Sequence, residues 1–460
     1  MNRNVLFSLI NQIILVLVPF ITFPYLSRIL GPEYYGKLNY LTNISLMFGI
    51  IYASGSYAFS VRTYSNALKD EKEARNVKKD LFVFNFLTAC LGFMGSVVFL
   101  NLSTEFSQQE IFLASLTIIT VALSSLWIIV GDENFKFITI RNLITKIVSL
   151  VGIILLIREP ENYYYYFIIN ILIDFALFVL TFRILNLGNF KKISYEKVIM
   201  YFRYSSTTLQ NVLISSLGNQ TNIIILNMLL TFSAISFFTV ATKIPLMIIT
   251  IINGFLLANS PRMYKMISEE DYKGIFKIIK LNLKFILFIS LPVIIVVQFE
   301  SEEILEIIAG SEYIIAAEYL RYSIYLLLLV PVTAVLYQIV YSAKLELESR
   351  RIIIEALIIS IVCNYIFISW LGIMGAILTS LVLELYKLIR YLIIISKKSL
   401  LRLGDYSLKN EFSDFLWINL IFTLIILFFK DFFNIWFYYS ILSFSMFVYY
   451  GKMLWRLKNG

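Results

Sequence analysis

Long apolar runs, repeated along the whole chain, constrain this sequence more than any other feature. A helix that crosses a bilayer needs about 20 consecutive apolar residues. The 460-residue chain contains fourteen runs of about that length. They fall near residues 5–27, 38–58, 81–101, 111–130, 138–157, 163–182, 205–230, 233–257, 282–299, 322–342, 352–370, 372–392, 414–430 and 433–451. The runs predict an all-α polytopic membrane protein with about fourteen transmembrane helices.

Composition supports the membrane assignment and excludes several kinds of catalytic and metal site. Hydrophobic residues make up 59% of the chain and charged residues 15%, where a soluble domain carries about 25% charged residues. The chain has no histidine, which excludes histidine triads, histidine metal ligands and imidazole proton shuttles. Its two cysteines, Cys90 and Cys363, lie inside apolar runs and are interpreted as buried small side chains. No phosphate-binding glycine loop is present, so we expect no ATP hydrolysis by this chain.

The placement of the cations predicts the orientation in the membrane. With fourteen spans, 32 of the 39 Lys and Arg residues fall in the segments on the N-terminal side, and five fall on the opposite side. Cytoplasmic loops carry this excess of positive charge. We therefore expect a multi-pass protein of the bacterial cytoplasmic membrane with both termini in the cytoplasm. The net charge of +9 is explained by the cytosolic leaflet, and no nucleic-acid partner is expected.

The opposite side has a different character. Its most polar connection, residues 299–321, contains six glutamates and one cation, Arg321. The other outer connections are short, so no separate soluble domain is predicted. Four consecutive tyrosines, Tyr163 to Tyr166, open a span on this side, where aromatic rings favour the headgroup zone. Residues 31–33 and 160–162 are typical of turns.

A weak internal repeat suggests how the spans are organised. Residues 28–40 align with residues 228–240, so that Leu30 corresponds to Leu230 and both segments connect the first two helices of a six-span half. Because six is even, the halves insert in the same orientation and are related by a pseudo-two-fold axis along the membrane normal. The predicted domains are a six-helix lobe at 1–200, a second at 201–395 and two additional helices at 396–460.

Three motifs resemble one transporter family. Residues 22–37, TFPYLSRILGPEYYGK, and residues 127–142, WIIVGDENFKFITIRN, resemble two signatures of polysaccharide repeat-unit flippases. These are the O-antigen and capsule exporters of the multidrug/oligosaccharidyl-lipid/polysaccharide superfamily. Residues 238–244, FTVATKI, resemble their tyrosine–alanine–lysine pattern. The chain departs from the family at Asn222, where an acidic residue is common, and at Thr231 and Ser236, where glycine is common.

The resemblance implies a fold and a substrate. The fold is two six-helix lobes around a central cavity, with two extra C-terminal spans. The substrate is an oligosaccharide on an undecaprenyl pyrophosphate carrier, moved from the inner to the outer leaflet by alternating access. Sugars and phosphates lose their hydrogen bonds to water in hydrocarbon, so a hydrated cavity with fixed positive charge would lower that cost.

Several charged side chains are candidates for this site. Lys243 lies about ten residues into the eighth span, either as a cavity-facing phosphate contact or in an ion pair with an acid such as Asp174 or Glu384. The other candidate substrate-binding cations are Lys146, Arg28, Arg62 and Arg141. Lys146 could also snorkel to the interface, and the three arginines could be headgroup-zone charges.

Two intramembrane acids, Asp174 and Glu384, are candidates for a coupling ion, although Lys387 lies one turn from Glu384 and could neutralise it. Five prolines within or near spans are either hinges for alternating access or tolerated kinks; they are Pro19, Pro24, Pro245, Pro292 and Pro331. No cofactor is expected beyond a proton or sodium gradient and the membrane potential.

Other functions stay open at this point. A multidrug extruder of the same superfamily would bind organic cations, whereas Lys146 and Lys243 favour an anion. A membrane polysaccharide polymerase or glycosyltransferase usually carries a larger external loop, and this chain's longest is about 23 residues. A non-transporting scaffold would need an interaction domain that is not visible. Besides the lipid-linked oligosaccharide and membrane lipids, a polysaccharide polymerase and a chain-length regulator are the expected partners.

Overall fold

The computed structural model describes residues 3–50, 57–103, 105–132, 134–185, 194–269 and 271–398. Within these ranges the regular structure is helical, with no strand. The α-helices are α1 Arg3–Ile50, α2 Ala58–Ala67, α3 Glu71–Leu100, α4 Gln108–Leu123, α5 Leu126–Gly131, α6 Phe135–Leu156, α7 Tyr165–Leu185, α8 Tyr195–Leu229, α9 Phe232–Ser268, α10 Tyr272–Ala309, α11 Ala317–Ser323, α12 Leu326–Ser342, α13 Glu346–Leu371 and α14 Ile373–Lys397. Short 3₁₀ helices at Pro160–Tyr164 and Ser311–Ala316 precede α7 and α11.

The prediction of an all-α polytopic membrane protein is confirmed. Eight helical stretches in the described ranges are long and apolar enough to cross a membrane. Each coincides with one predicted run, namely those that begin at residues 81, 111, 138, 163, 233, 282, 322 and 352. Of the other runs, residues 5–27 and 38–50 lie in α1, residues 205–229 lie in α8, and residues 373–392 lie in α14. The final two runs, 414–430 and 433–451, lie outside the described residues, so the count of fourteen stays a prediction.

The chain divides into two compact units, Met1–Ser236 and Phe237–Gly460. The first unit ends beyond the predicted lobe boundary at residue 200, because α8 packs on both α1 and α3. The division into lobes at 1–200 and 201–395, and the symmetry between them, stay predictions. The predicted C-terminal segment at 396–460 lies almost wholly outside the described residues.

Small and polar residues let the helices of the first unit pack closely. A Cβ atom on Gly92 of α3 would lie 2.8 Å from the carbonyl oxygen of Phe48 in α1. Ser115 of α4 donates a hydrogen bond of 2.9 Å to Ser96 of α3, and Ser45 of α1 donates one of 2.9 Å to the carbonyl of Ala114. Because lipid removes the hydrophobic force between helices, such close approach and polar bonds hold membrane bundles together.

In the second unit, α14 packs on both α13 and α12, and α12 packs on α10. Asn259 of α9 donates a hydrogen bond of 2.8 Å to Asn282 of α10. Gly372, at a φ of 59°, makes the turn between α13 and α14; glycine tolerates this left-handed region at no steric cost. A Cβ on Gly375 would lie 2.2 Å from the carbonyl of Phe367, so glycine is required where these two helices meet.

The predicted hinge prolines lie inside helices, and none of them is at a break in the helical backbone. Pro19 and Pro24 are in α1, Pro245 is in α9, Pro292 is in α10, and Pro331 is in α12. Non-helical backbone angles interrupt α1 at Gly31 and α10 at Glu300 instead. The hinge function of the prolines stays a prediction.

Candidate functional site

The first signature motif contains a break in the helical backbone of α1. Gly31 has a φ of 63° and a ψ of 177°, a conformation that glycine alone adopts easily. The residues after it pack into the first unit, and Tyr35 is buried. A Cβ on Gly36 would lie 1.9 Å from the carbonyl oxygen of Phe232, at the start of α9. The two glycines of this motif therefore have separate structural tasks, a turn and a close backbone contact.

Lys37 is the last residue of this motif, and nearby side chains contact its ammonium group. Its ammonium lies 3.0 Å from Glu33, 4.9 Å from the ring centre of Tyr34 and 5.7 Å from that of Phe232. Cation–π contacts of this kind stabilise a partly desolvated ammonium. Tyr34 in turn packs against Tyr163, at 5.7 Å between ring centres. Tyr163 is buried, so the interfacial-belt interpretation does not describe this tyrosine.

The second signature motif docks α5 onto α2. Trp127 is fully buried. Tyr64 of α2 donates a hydrogen bond of 2.8 Å to the Asp132 carboxylate, and a Cβ on Gly131 would meet the Tyr64 ring at 2.5 Å. Burial, followed by the hydrogen bond to Asp132, raises the pKa of Tyr64. The phenol therefore stays protonated and keeps donating at physiological pH. This contact was not predicted, because residues 64 and 132 are far apart in the sequence.

Beyond this motif, three charged side chains and a threonine meet in the first unit; we call Arg141, Lys146, Asp174 and Thr120 the α6–α7 charge cluster. Asp174 of α7 lies within electrostatic range of Arg141 and Lys146, both on α6, and near Thr120 of α4, whose hydroxyl donates a hydrogen bond of 3.1 Å to the carbonyl of Thr117. Asp174, Arg141 and Lys146 are each partly exposed, whereas Thr120 is buried. The cluster carries two cations and one acid, a net positive charge within apolar helices.

Arg28 and Arg62 lie on helices other than α6. The Tyr25 hydroxyl, one turn before Arg28 on α1, donates a hydrogen bond of 2.7 Å to the carbonyl of Ile157, just after α6 ends. Lys146 is eleven residues earlier on α6, about 16 Å along the helix axis. Arg28 and Arg62 are both exposed, and Arg62 is on the short helix α2. The structure places Arg141 and Lys146 on one helix, α6, and Arg28 and Arg62 on two others, α1 and α2.

Lys243 lies on α9 in the second unit and is partly exposed. The neighbouring Thr239 and Thr242 are buried, and Thr242 donates a hydrogen bond of 2.8 Å to the carbonyl of Phe238. Ser323, at the end of α11, donates one of 2.6 Å to the carbonyl of Ala241. Among the described residues of the second unit, no carboxylate forms an ion pair with Lys243. The ion-pair alternative for this lysine therefore finds no support among those residues.

Glu384 has the partner that the sequence suggested. Its carboxylate forms an ion pair with Lys387, three residues later on α14. A second carboxylate, Glu355 of α13, was missed; it lies 3.1 Å from Arg390 and accepts a hydrogen bond of 2.5 Å from Tyr386. Its position inside the run at 352–370 was the available signal. Glu355 with Arg390 and Tyr386 forms a charge-neutral brace between α13 and α14, whereas the Glu384–Lys387 pair lies within α14.

The glutamate-rich connection is ordered by its single cation. Arg321 donates from Nε to Ser301 at 2.7 Å and forms an ion pair of 2.8 Å with Glu302. Gln298 of α10 donates a hydrogen bond of 2.7 Å to the Arg321 carbonyl. Glu303, Glu312 and Glu318 remain exposed. The segment is a helical, acidic surface and holds no separate domain.

Comparison with known proteins assigns the family. Residues 1–267 match the family described as polysaccharide biosynthesis protein. A 163-residue segment is 23% identical to the "Putative O-antigen transporter" of Shigella dysenteriae, covering 35% of this chain and 41% of that protein. The chain thus aligns with less than half the length of that relative.

Solved structures share the fold at low identity. "Lipid II flippase MurJ, inward closed conformation" has a TM-score of 0.76 at 15% identity, over 99% of this chain and 100% of that chain. An inward-facing multidrug resistance MATE family transporter of the MOP superfamily has a TM-score of 0.61 at 13% identity, over 83% of this chain and 98% of that chain. These two solved structures share the fold of this chain. By the extent of its family match, this chain belongs to the polysaccharide biosynthesis protein family.

Proposed function

We propose that this protein flips an oligosaccharide linked to undecaprenyl pyrophosphate, a polysaccharide repeat unit, from the cytoplasmic to the outer leaflet by alternating access. The observation that carries the proposal is the α6–α7 charge cluster, in a chain whose family and O-antigen transporter relative belong to polysaccharide export. A charge at the centre of a membrane helix costs about 2.5–3.5 kcal/mol on insertion scales. A net positive charge kept there at such cost fits an anionic ligand.

Lys243 is the proposed phosphate contact of the second unit. It is partly exposed and has no ion-pair partner in the described part of the chain, so its ammonium is available to a ligand. Arg28 and Arg62 are proposed as contacts at other depths, since both are exposed.

The membrane potential is the proposed source of part of the driving force. Moving one negative charge outward across an inside-negative membrane gains about 2.3 kcal/mol per 100 mV. A pyrophosphate with about two charges would gain twice that. We propose that the potential drives the loaded step and that proton or sodium antiport resets the empty carrier. Export into vesicles that stays unchanged when the potential is collapsed at fixed ion gradients would contradict the first half.

Complementation tests the function directly. Deletion of the gene is expected to accumulate lipid-linked repeat units on the inner leaflet and to abolish surface polysaccharide. The wild-type gene should reverse both effects of the deletion, whereas the gene for the Lys243→Ala variant should not. Lys273→Ala, which removes an exposed lysine at the start of α10, is the matched control and should complement fully. Normal surface polysaccharide in the deletion strain, with increased sensitivity to cationic dyes, would instead favour a multidrug extruder.

A further inference from the structure

One face of α9 is open along most of the helix. Thr250, Gly254 and Pro261 are exposed, and Lys243 is partly exposed. Successive members of this set are seven, four and seven positions apart, close to whole numbers of helical turns, so they lie in one line along α9. The line is about 27 Å long at 1.5 Å per residue. We call these four residues the Lys243 face of α9.

Lys243 indicates that this face meets water or polar groups and not lipid chains. The predicted run 233–257 has its centre at residue 245, so the lysine lies close to the middle of the span. An ammonium at that depth is costly in hydrocarbon, and intramembrane lysines face a water-filled cavity or a partner. Among the described residues of the second unit, no carboxylate pairs with it. The face that carries Lys243 is therefore a hydrated one.

A second polar group lies at the start of this face. Thr239, one turn before Lys243, is 9% exposed, and its hydroxyl oxygen makes no hydrogen bond within the described part of the chain. Thr242 instead donates 2.8 Å to the carbonyl of Phe238, the usual bond of a threonine inside a helix. A buried hydroxyl without a partner is rare. A polar ligand bound beside Lys243 would supply the missing partner.

Gly254 leaves open space farther along the face. A Cβ built on it would meet nothing within 4 Å, although glycine is less favourable than alanine in a helix. Packing among the described residues therefore does not require this glycine, in contrast to Gly375 of the same unit, whose Cβ would lie 2.2 Å from the backbone of α13. Thr250, one turn before Gly254, donates a hydrogen bond of 2.8 Å to the carbonyl of Leu246, and its hydroxyl oxygen can still accept one.

We propose that the Lys243 face is one wall of the path that the sugars of the substrate follow, and that Gly254 sets the width of this path. The inference rests on the proposed function, because it takes the ligand to be an oligosaccharide that carries phosphate. Phosphate at Lys243 is complementary in charge. The attached sugars then lie towards Thr250 and Gly254, about 16 Å from the lysine at most, where small side chains leave room for rings.

A size series at residue 254 tests the width of the path by complementation of the deletion strain. Surface polysaccharide per folded molecule should stay within about twofold of wild type in Gly254→Ala and fall by about tenfold or more in Gly254→Trp. Ile358→Trp, at a 58% exposed position of α13, is the matched control. It adds the same ring away from the Lys243 face and should complement fully.

Thiol labelling tests the hydration of the face without relying on transport. The full-length protein carrying Cys90→Ser and Cys363→Ser, in nanodiscs, receives either Thr250→Cys or Ile358→Cys and a charged thiol reagent. The two sites are seven and six residues inside the predicted runs that end at 257 and begin at 352, so their depths match. Because the thiolate is the reactive form and needs water, Thr250→Cys should label about tenfold faster. Lipid-linked repeat units extracted from the deletion strain should slow that labelling, and undecaprenyl pyrophosphate, which has no sugar, should not.

Full complementation by folded Gly254→Trp, equally slow labelling at the two sites, or equal protection by the two lipids would each overturn the inference and leave the proposed function standing. A deletion strain that keeps its surface polysaccharide would instead reject the proposed function. If Gly254→Trp yields no folded protein, Gly254→Leu takes its place in the series. Complementation by folded Gly254→Leu at the level of Gly254→Ala would then refute the role of this glycine.

Discussion

Gly36→Ala tests whether the first signature motif is a close-packing device. The added Cβ would lie 1.9 Å from the Phe232 carbonyl oxygen, 2.5 Å from its carbonyl carbon and 3.1 Å from its Cα. Real Cβ contacts stay above about 3.0 Å, so the two backbones must separate by about 1 Å. Because the obstructing atoms are backbone, no rotamer change relieves the overlap.

The expected magnitude follows from two opposing effects. Overpacking of a tight contact costs about 1–3 kcal/mol, and replacing glycine by alanine inside a helix gains about 0.5–1 kcal/mol. The net loss is then about 0–2.5 kcal/mol, with a midpoint near 1.2 kcal/mol. At roughly 2–4 °C per kcal/mol for a unit of this size, the midpoint corresponds to a fall in Tm of about 2–5 °C.

Thermal unfolding of the purified protein, followed by tryptophan fluorescence, measures this shift. Gly218→Ala is the matched control, since Gly218 lies in helix α8 of the same unit and its added Cβ would meet nothing within 4 Å. It should leave Tm unchanged or raise it by a few degrees. A Tm of Gly36→Ala equal to or above that of Gly218→Ala would show that the α1–α9 contact is looser than described.

Three further changes test the second unit and the α2–α5 contact. Gly375→Ala should lower Tm by a comparable amount, because its Cβ would lie 2.2 Å from the backbone of α13. Gly254→Ala, whose added Cβ would meet nothing within 4 Å, should not lower Tm. Equal Tm shifts in the two variants would contradict this prediction. Tyr64→Phe removes the 2.8 Å hydrogen bond to Asp132 and should lower the free energy of unfolding by about 1.5–3 kcal/mol. We expect a lower Tm, while the amount of surface polysaccharide per folded molecule should not change. Glu355→Gln leaves its arginine partner at 3.1 Å without a counter-charge and should lower Tm more than Glu318→Gln does, and the reverse order would refute the brace.

The membrane class and the family were predictable from the sequence alone, because both depend on short contiguous segments of the chain. An apolar run of about 20 residues has one stable solution in a bilayer, a helix that satisfies its own backbone hydrogen bonds. The signature motifs at 22–37 and 127–142 are contiguous, so the resemblance needs no tertiary information. The turn at Gly31 was also local, since a glycine followed by a proline favours it.

The candidate site was predictable as a set of residues but not as an arrangement. Each intramembrane charge stands out against apolar neighbours, so Lys243, Lys146 and Asp174 could be picked from the sequence. Which of them meet depends on the rotation and depth of each helix, and these follow from packing along the whole length of α4, α6 and α7. Pairing Lys243 with Asp174 or Glu384 was therefore as reasonable from the sequence as the grouping of Asp174 with Arg141.

The sequence by itself determined that this chain is helical, spans the membrane many times and carries rare charges in its interior, because hydropathy and charge are properties of single segments. Only the tertiary structure decided that Gly36 touches the start of α9, that Tyr64 bonds to Asp132 and that Asp174 faces two cations on α6. Those contacts join residues separated by tens to hundreds of positions, and their free energy exists only once the helices are packed.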